Sequence, residues 1–418
     1  MSSEPSAPHC EPPCGLFLEN GTDITGEGMF ATNPAFPTLV VGVFMRTPPA
    51  NETIPFYGGD AWFYRSNDSG LSWTSRPLPR TGALRNAFSL IDNFVTLTSS
   101  GAVVVSGVMS TQSVYVLRSP DRGTTWEPAI VMPVGSAPAR PPIMDTPSVS
   151  SLGTHVWLTW EEHPYGGFMA RSDDDGKTWT APRPLLPLAP SNPSIVETSY
   201  SMAEREDGTF ALMLGALTPR PEAPLNGLAA DEGTATVDNW LAISRDSGAT
   251  WDMGPSLGPS GVSAGMVVRT SDGFAAVLAV RSITASPSST DPTQTEEMLR
   301  LFEWHDGIRA PPIDLLPHTN VGLLPGLAAA ANGDLIVDYG WVENGTTQLR
   351  AIVVHDGTPG TPITLRQDLG RGAKGSEILD FLFPAPLGDG SIIPWAQGPG
   401  DRMGDKALDL GATRVRIP

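Results

Sequence analysis

One string of eight residues recurs four times along this chain of 418. The copies are Ser66-x-Asp68-x-Gly70-x-Ser72-Trp73, Ser119-x-Asp121-x-Gly123-x-Thr125-Trp126, Ser172-x-Asp174-x-Gly176-x-Thr178-Trp179 and Ser244-x-Asp246-x-Gly248-x-Thr250-Trp251. Successive aspartates are separated by 53, 53 and 72 residues, and weaker echoes follow at Trp304–Gly307 and Val354–Gly357. The chemistry of the string is local. Aspartate accepts backbone N–H bonds inside its own turn, glycine takes the positive φ that the turn needs, and the hydroxyls satisfy further polar groups. Tryptophan then opens the next strand with a large apolar face.

A second register runs beside the first. Turn glycines at Gly101, Gly153, Gly208, Gly273, Gly333 and Gly390 each precede an apolar run, with steps of 52, 55, 65, 60 and 57 residues. With a first unit around Pro37–Phe44, the pattern predicts seven units of three or four short strands each. Repeats of this length built from four short strands are propeller blades. The fold class expected is therefore all-β: a single β-propeller of four-stranded antiparallel blades, seven in number, with six as the alternative. The last unit lacks an outer strand, and Leu16-Phe17-Leu18 is placed to supply it, which would protect the sheet edges. Residues 1–15 form a Pro-rich arm and residues 16–418 the propeller.

Composition fits this reading. The chain has 44 Gly and 42 Pro, which break helices, yet 40% of it is hydrophobic, so it is not a disordered Pro/Gly tract. The 26 basic against 45 acidic residues, a formal net charge of −19, argue against nucleic acid as a partner. No apolar run approaches the roughly 18 residues of a transmembrane helix. The start, MSSEPSAPHCEPPC, has no apolar signal segment. The expectation is an exported protein, extracellular, periplasmic or at a cell surface, whose signal is absent from this chain. Cys10 and Cys14 are a local disulfide or two idle thiols, and two thiols without a Cys/His cluster make no zinc site. Asp173-Asp174-Asp175-Gly176 is not an EF-hand, because Pro184 stands where the loop needs its last Glu. No metal or other cofactor is expected, and the chain is expected to be a monomer.

The four strings resemble the Asp-box (BNR) repeats of the sialidase superfamily of β-propellers, over about residue 29 to the end. The resemblance implies that the repeat turns lie on the face opposite a binding funnel. Function would then sit on loops joining second to third strands, such as Arg46 to Asp60, Glu161 to Tyr165, Arg220 to Val237, Arg281 to Glu297, Trp341 to Asn344 and Trp395 to Asp405. Links between blades add Arg80, Arg85, Asp92, Arg140, Asp145, Glu197, His318 and Asp380.

Sialidases hold the sialate carboxylate with three Arg and use a Tyr nucleophile, activated by a Glu, with an Asp as acid/base. By resemblance, Val196-Glu197-Thr198-Ser199 matches the Glu-bearing strand, so Glu197 is the leading catalytic candidate, with Asp145 or Glu161 as acid. Arg46 and Arg281, at strand ends, would bind an anionic group of a substrate. The rest of the pattern departs from the family. Residues 29–38 contain no Arg, Arg416-Ile417-Pro418 ends the chain, and Leu323–Leu327 has no Tyr.

Each candidate also has a structural reading. Repeated acids at the openings of inner strands bond neighbouring backbone N–H groups in many folds. Glu161, Glu162 and His163 fit a solvated loop as well as an acid/base group, and His163 with Tyr165 would suit lyase chemistry. Trp341 and Trp395 would stack on a sugar or pack in the core. His305 and His355, inside turn-like strings, read as structural. Two functional classes remain. The first is a recognition propeller binding a glycan or protein ligand at its funnel face, with degenerate catalytic machinery. The second is a carbohydrate-active enzyme, a divergent glycoside hydrolase or a polysaccharide lyase.

Overall fold

Each sequence unit folds into one antiparallel sheet in the computed structural model, and the seven sheets make the fold a seven-bladed β-propeller. The structure describes residues 9–10, 16–19, 24–47, 59–110, 113–135, 142–163, 166–185, 195–217, 237–260, 265–281, 297–319, 325–343, 346–367, 369, 382–397 and 409–417. Among the described residues the only helical element is a 3-10 turn at Gly82–Asn86. The six-bladed alternative is excluded by the count of sheets.

The chain forms two compact units, Pro79–Asn320 and the pair of segments Met1–Leu78 and Val321–Pro418. The first unit holds blades 2 to 5. Blade 2 comprises Leu90–Leu97, Val103–Met109, Ser113–Ser119 and Ile130–Val131. The inner strand of blade 3 is split into Ile143–Asp145 and Val149–Leu152, followed by His155–His163, Gly166–Ser172 and Arg183–Pro184. Blade 4 runs Ile195–Glu204, Phe210–Leu217, Val237–Ser244 and Gly258–Ser260. Blade 5 begins Met266–Arg269, Gly273–Arg281 and Glu297–His305, and its outer strand is in two pieces.

The second unit holds blades 1, 6 and 7. Blade 1 comprises Ile24–Thr32, Val40–Thr47, Asp60–Ser66 and Thr74–Pro77. Blade 6 runs Gly326–Ala329, Leu335–Glu343 and Thr346–His355, with a two-piece outer strand. Blade 7 has three strands from the C-terminal end, Ala385–Leu387, Gly390–Gln397 and Asp409–Arg416. Its outer strand comes from the other end of the chain, as the apolar Leu16-Phe17-Leu18 suggested: Leu16–Glu19 pairs antiparallel with Asp409–Arg416. His9–Cys10, inside the Pro-rich arm, extends that strand by pairing with Arg416 and Val415. Cys14 lies outside the described residues.

The repeated turns hold themselves together as their composition requires. In the second, Asp121 Oδ1 accepts the Thr125 N–H at 2.7 Å and the Ser119 hydroxyl at 2.9 Å, while Oδ2 accepts the Thr125 hydroxyl at 2.7 Å. The same bonds recur around Asp68, Asp174 and Asp246. The turn glycines have positive φ, 80° at Gly123 and 79° at Gly176. They also touch the preceding blade: a Cβ at Gly176 would lie 2.6 Å from a Val104 methyl. Only glycine meets both demands. The turn tryptophans reach inward, Trp251 lying 5.7 Å from Phe210 and Trp73 stacking on Phe30 at 5.0 Å. The core therefore lies between successive sheets, as in the cluster of Trp157, Met169, Phe210 and Leu214 between blades 3 and 4.

Candidate functional site

Within each blade the turn between third and outer strands marks one end. The start of the inner strand and the loop between second and third strands mark the other, where side chains are free of turn duties. At that end the inner strands of blades 2, 3 and 4 share a distortion. Register slips between Ile91 and Phe94 and between Thr198 and Met202, and the inner strand of blade 3 breaks between Asp145 and Val149. Asp92 (φ 49°) and Thr146 (φ 42°) take left-handed backbone there. For a β-branched residue such as Thr146 this costs on the order of 1–3 kcal/mol. Bulges of this kind re-aim side chains and concentrate near functional sites.

The break in blade 3 sets two acids side by side. Asp145 is the direct cross-strand partner of Glu161. Such partners project from the same face with Cβ atoms about 4.5–5.5 Å apart, and like charges so placed destabilise a sheet. Asp145 is half-buried and its Oδ1 accepts the Thr146 N–H at 2.8 Å, whereas Glu161 is only 4% exposed. A paired carboxyl set of this kind suits proton transfer at a glycosidic oxygen or the binding of sugar hydroxyls. His163 pairs in register with Ile143. Its side chain and all of Tyr165 lie outside the described residues.

Glu162, one residue on, faces the other way and is structural. Its Oε1 accepts the Trp160 indole N–H at 2.9 Å and the Gly135 N–H at 2.6 Å. In blade 2, Asn93 does similar work, with Oδ1 accepting the Tyr115 hydroxyl at 2.5 Å. Glu197 lies on the first strand of blade 4 opposite Gly215, and Arg281 ends the second strand of blade 5 opposite Glu297. The side chains of Glu197 and Arg281 are outside the described residues, as are Arg140, Asp380 and the loops 48–58, 218–236, 282–296 and 398–408.

In the other unit, Arg46 stands one residue before the end of its strand, opposite Asp60, and its guanidinium lies over the Trp62 ring at 3.9 Å. Trp341 is half-buried near the tip of the blade 6 hairpin, with Arg350 over its ring at 4.8 Å. Of the two readings of Trp395, sugar platform or core, its surroundings are those of the core. It is 1% exposed, its Nε1 donates to Thr413 Oγ1 at 3.1 Å, and Arg366 covers its ring at 4.3 Å. Gly411 closes on its six-membered ring, where an added Cβ would meet Cζ2 at 2.0 Å. No face is left for a ligand.

One ionisable group escaped sequence reasoning. Asp338, in the middle of the second strand of blade 6, is 3% exposed, and its Oδ1 has no hydrogen-bond partner. Burial pushes its carboxyl up to about 8. Its cross-strand neighbour Gly326 makes the space: a Cβ there would lie 2.3 Å from Oδ1. The available signal was an acid interrupting the apolar run Leu335–Tyr339, which reads as ordinary core.

Among the described residues no cluster of His, Cys, Asp or Glu fits a metal ion, and no helix is long and apolar enough to cross a membrane. No family model and no curated protein matches the chain. Solved structures do. A polysaccharide lyase of family PL25, an ulvan lyase, superposes with a TM-score of 0.55 at 9% identity over 95% of each chain. A GH93 α-L-arabinofuranosidase of Fusarium graminearum gives 0.52 at 10% identity over 98% of each. A Dyadobacter fermentans protein of unknown function gives 0.51 at 15% identity, over 97% of this chain and 100% of that one. Sialidases are also similar, at TM-scores of 0.47 and 0.48. At such identities the likeness is one of fold alone.

Proposed function

We propose that this chain is an exported, monomeric Asp-box propeller that recognises a glycan at the strand ends opposite its repeat turns, without a complete sialidase apparatus. The observation that carries this reading is the segregation of chemistry within the blades. The turn ends hold self-satisfied aspartates, while the opposite ends hold the Asp145–Glu161 pair, Arg46 beside Trp62, and a half-exposed Trp341. Carboxylates, guanidinium groups and indoles are the side chains that bond sugar hydroxyls and stack on sugar rings. The ulvan lyase and the arabinofuranosidase among the similar structures act on glycans, which supports a carbohydrate rather than a protein as the ligand. No metal or organic cofactor is required by this reading.

A second reading, a divergent glycoside hydrolase, is favoured by one observation. Asp145 and Glu161 are direct neighbours, and retaining glycosidases hold their two carboxyl groups about 5–5.5 Å apart. In that case one acid would protonate the leaving oxygen and the other attack the anomeric carbon, with Glu197 as an auxiliary base.

The test combines a glycan array with a panel of fluorogenic glycosides, using wild type, Glu161→Gln, Asp145→Asn and Glu197→Gln. Recognition predicts array binding without turnover, with binding weakened in the Glu161 and Asp145 variants. Release that falls about 100-fold or more in Glu161→Gln, with the fold intact, would replace recognition by hydrolysis. A folded protein that neither binds nor cleaves any glycan would overturn both readings.

A further inference from the structure

Blade 2 holds an aromatic ring out in solvent at the end of the blade opposite its repeat turn. Phe88 is 64% exposed, and among the described residues it is the one aromatic side chain that stands mostly in water. Leu84, Ser89 and Leu90 around it in the chain are fully buried. A single exposed apolar side chain is ordinary on a protein surface. What sets Phe88 apart is the backbone beneath it, which is pinned on both sides of the ring. The 3-10 turn Gly82–Asn86 leads into it, and the Ala83 N–H of that turn donates to the Ala129 carbonyl at 3.1 Å. Before the ring, the Ala87 carbonyl accepts the Arg80 guanidinium at 2.7 Å. After it, the Ser89 carbonyl accepts the Ser110 N–H at 3.3 Å. Ser110 lies between the second and third strands, which fixes Phe88 at the ligand end of its blade.

A ring held in place before its ligand arrives binds without the entropy cost of ordering it. Phenylalanine neither donates nor accepts a hydrogen bond, so what it takes is the apolar face of a ligand. Arg85 and Asn86 stand exposed on the turn beside it, and neither side chain has a partner among the described residues. A flat apolar surface rimmed by polar groups matches a sugar ring, with C–H groups on its face and hydroxyls at its edge. A protein partner would need a broader apolar patch around the ring. The exposed Ile130 and Val131 of this blade lie instead on its outer strand. Blades 2 and 3 are tied together at this end. The Gly135 N–H donates to Glu162 Oε1 at 2.6 Å, and the Ser106 hydroxyl donates to the Pro147 carbonyl inside the break that follows Asp145. Packed sheets stand about 10 Å apart, so one sugar ring does not reach from the end of one blade to the next.

We propose that Phe88, with Arg85 and Asn86 at its edge, is a stacking subsite for a further sugar of a chain whose other unit lies at the Asp145–Glu161 pair. The inference rests on the glycan-directed reading above and adds length to it. Phe88 takes the face of one ring, and Arg85 and Asn86 bond its edge. The protein thus selects a stretch of polysaccharide several units long over a single terminal sugar.

The test is titration calorimetry of the full chain with arabinan, xylan and ulvan oligosaccharides of two and of six sugar units. Wild type is expected to bind the six-unit member of one series at least about tenfold more tightly than its two-unit member. Phe88→Ala is expected to bring the two affinities within about twofold of each other at unchanged Tm, because the ring is mostly exposed. Phe88→Trp should restore the gain with length, and Asp145→Asn should weaken both lengths alike. Equal affinity for two and six units in wild type, or a gain with length that survives Phe88→Ala, would overturn the subsite while leaving glycan recognition standing. Absence of binding to all six oligosaccharides by folded wild type would overturn the subsite, and the array then decides whether the broader reading falls with it.

Discussion

At the scale of single residues, the ionisable groups divide by the end of the blade they occupy. At the turn end, Asp246 is held down to about 2 by the Thr250 hydroxyl, then the Thr250 N–H and the Ser244 hydroxyl. A depressed carboxyl contributes stability that is present above its unfolded value of 3.8 and is lost as pH falls through the folded one. Thermal melts should accordingly fall between about pH 4 and pH 2, and Asp246→Asn should shrink that fall. His355 works in the opposite sense. The Asp334 carboxylate, 2.6 Å from its Nδ1, raises it above its usual 6.5. Its contribution is complete below 6.5 and disappears as pH rises through the folded value, so His355→Ala should lower Tm more at pH 6 than at pH 9. His305 makes the same contact with Asp272 at 3.0 Å, so both turn-like strings use His as a strap to the neighbouring turn. Asp338 differs from both. Between 3.8 and about 8 the folded chain keeps a proton that the unfolded chain has lost, so stability falls as pH rises across that window. Asp338→Asn removes the titration, and its Tm advantage over wild type should grow from pH 4 to pH 8.

At the scale of strands and hairpins, close approach sets the tolerances. Gly326→Ala would drive a Cβ to 2.3 Å from Asp338 Oδ1 and 2.6 Å from Pro384 Cδ, and should cost about 1–3 kcal/mol in denaturant titration. Glu162→Ala would strand the Trp160 and Gly135 donors, with a loss on the same order of about 1–3 kcal/mol. This scale also marks where sequence reading works and where it stops. The turns were legible because their bonds join residues at most four apart, as Asp174 to Thr178 does. The pairing of Asp145 with Glu161 was not, although both were candidates, because it depends on a strand break and a register that no local pattern encodes. Trp395 read equally as a sugar platform or as core from its place near a strand end. Its burial comes from Arg366 and Gly411, which sequence proximity does not reveal. Asp338 passed for core because its neighbours Ile336, Val337 and Tyr339 are core.

At the scale of the whole molecule, the repeat count was legible and so was the completion of the last sheet. Six turn glycines with their apolar runs, and the first unit around Pro37–Phe44, map onto seven blades because each blade must close its own hairpins before it can pack. Blade 7 takes its outer strand from distant sequence, Leu16–Glu19 with His9–Cys10, and blade 1 gains a short parallel strand, Leu382–Phe383, beside Ile24–Thr32. Removal of residues 1–19 would expose Asp409–Arg416 as a free edge, so the truncated protein should melt lower and self-associate in light scattering. A truncated chain that stays monomeric with an unchanged Tm would show that the pairing carries no structural weight.

That same pairing imposes a delay on biogenesis. Leu16 finds its partner only when Ala412 exists, so an early strand must wait for one made 396 residues later. At translation rates of about 5–20 residues per second the interval is about 20–80 s. During it, an apolar segment stands beside a Pro-rich arm that cannot pair within itself. Pro5, Pro8, Pro12 and Pro13 remove backbone donors from the sequence beside that segment, and their replacement by Ala is expected to increase aggregation during refolding.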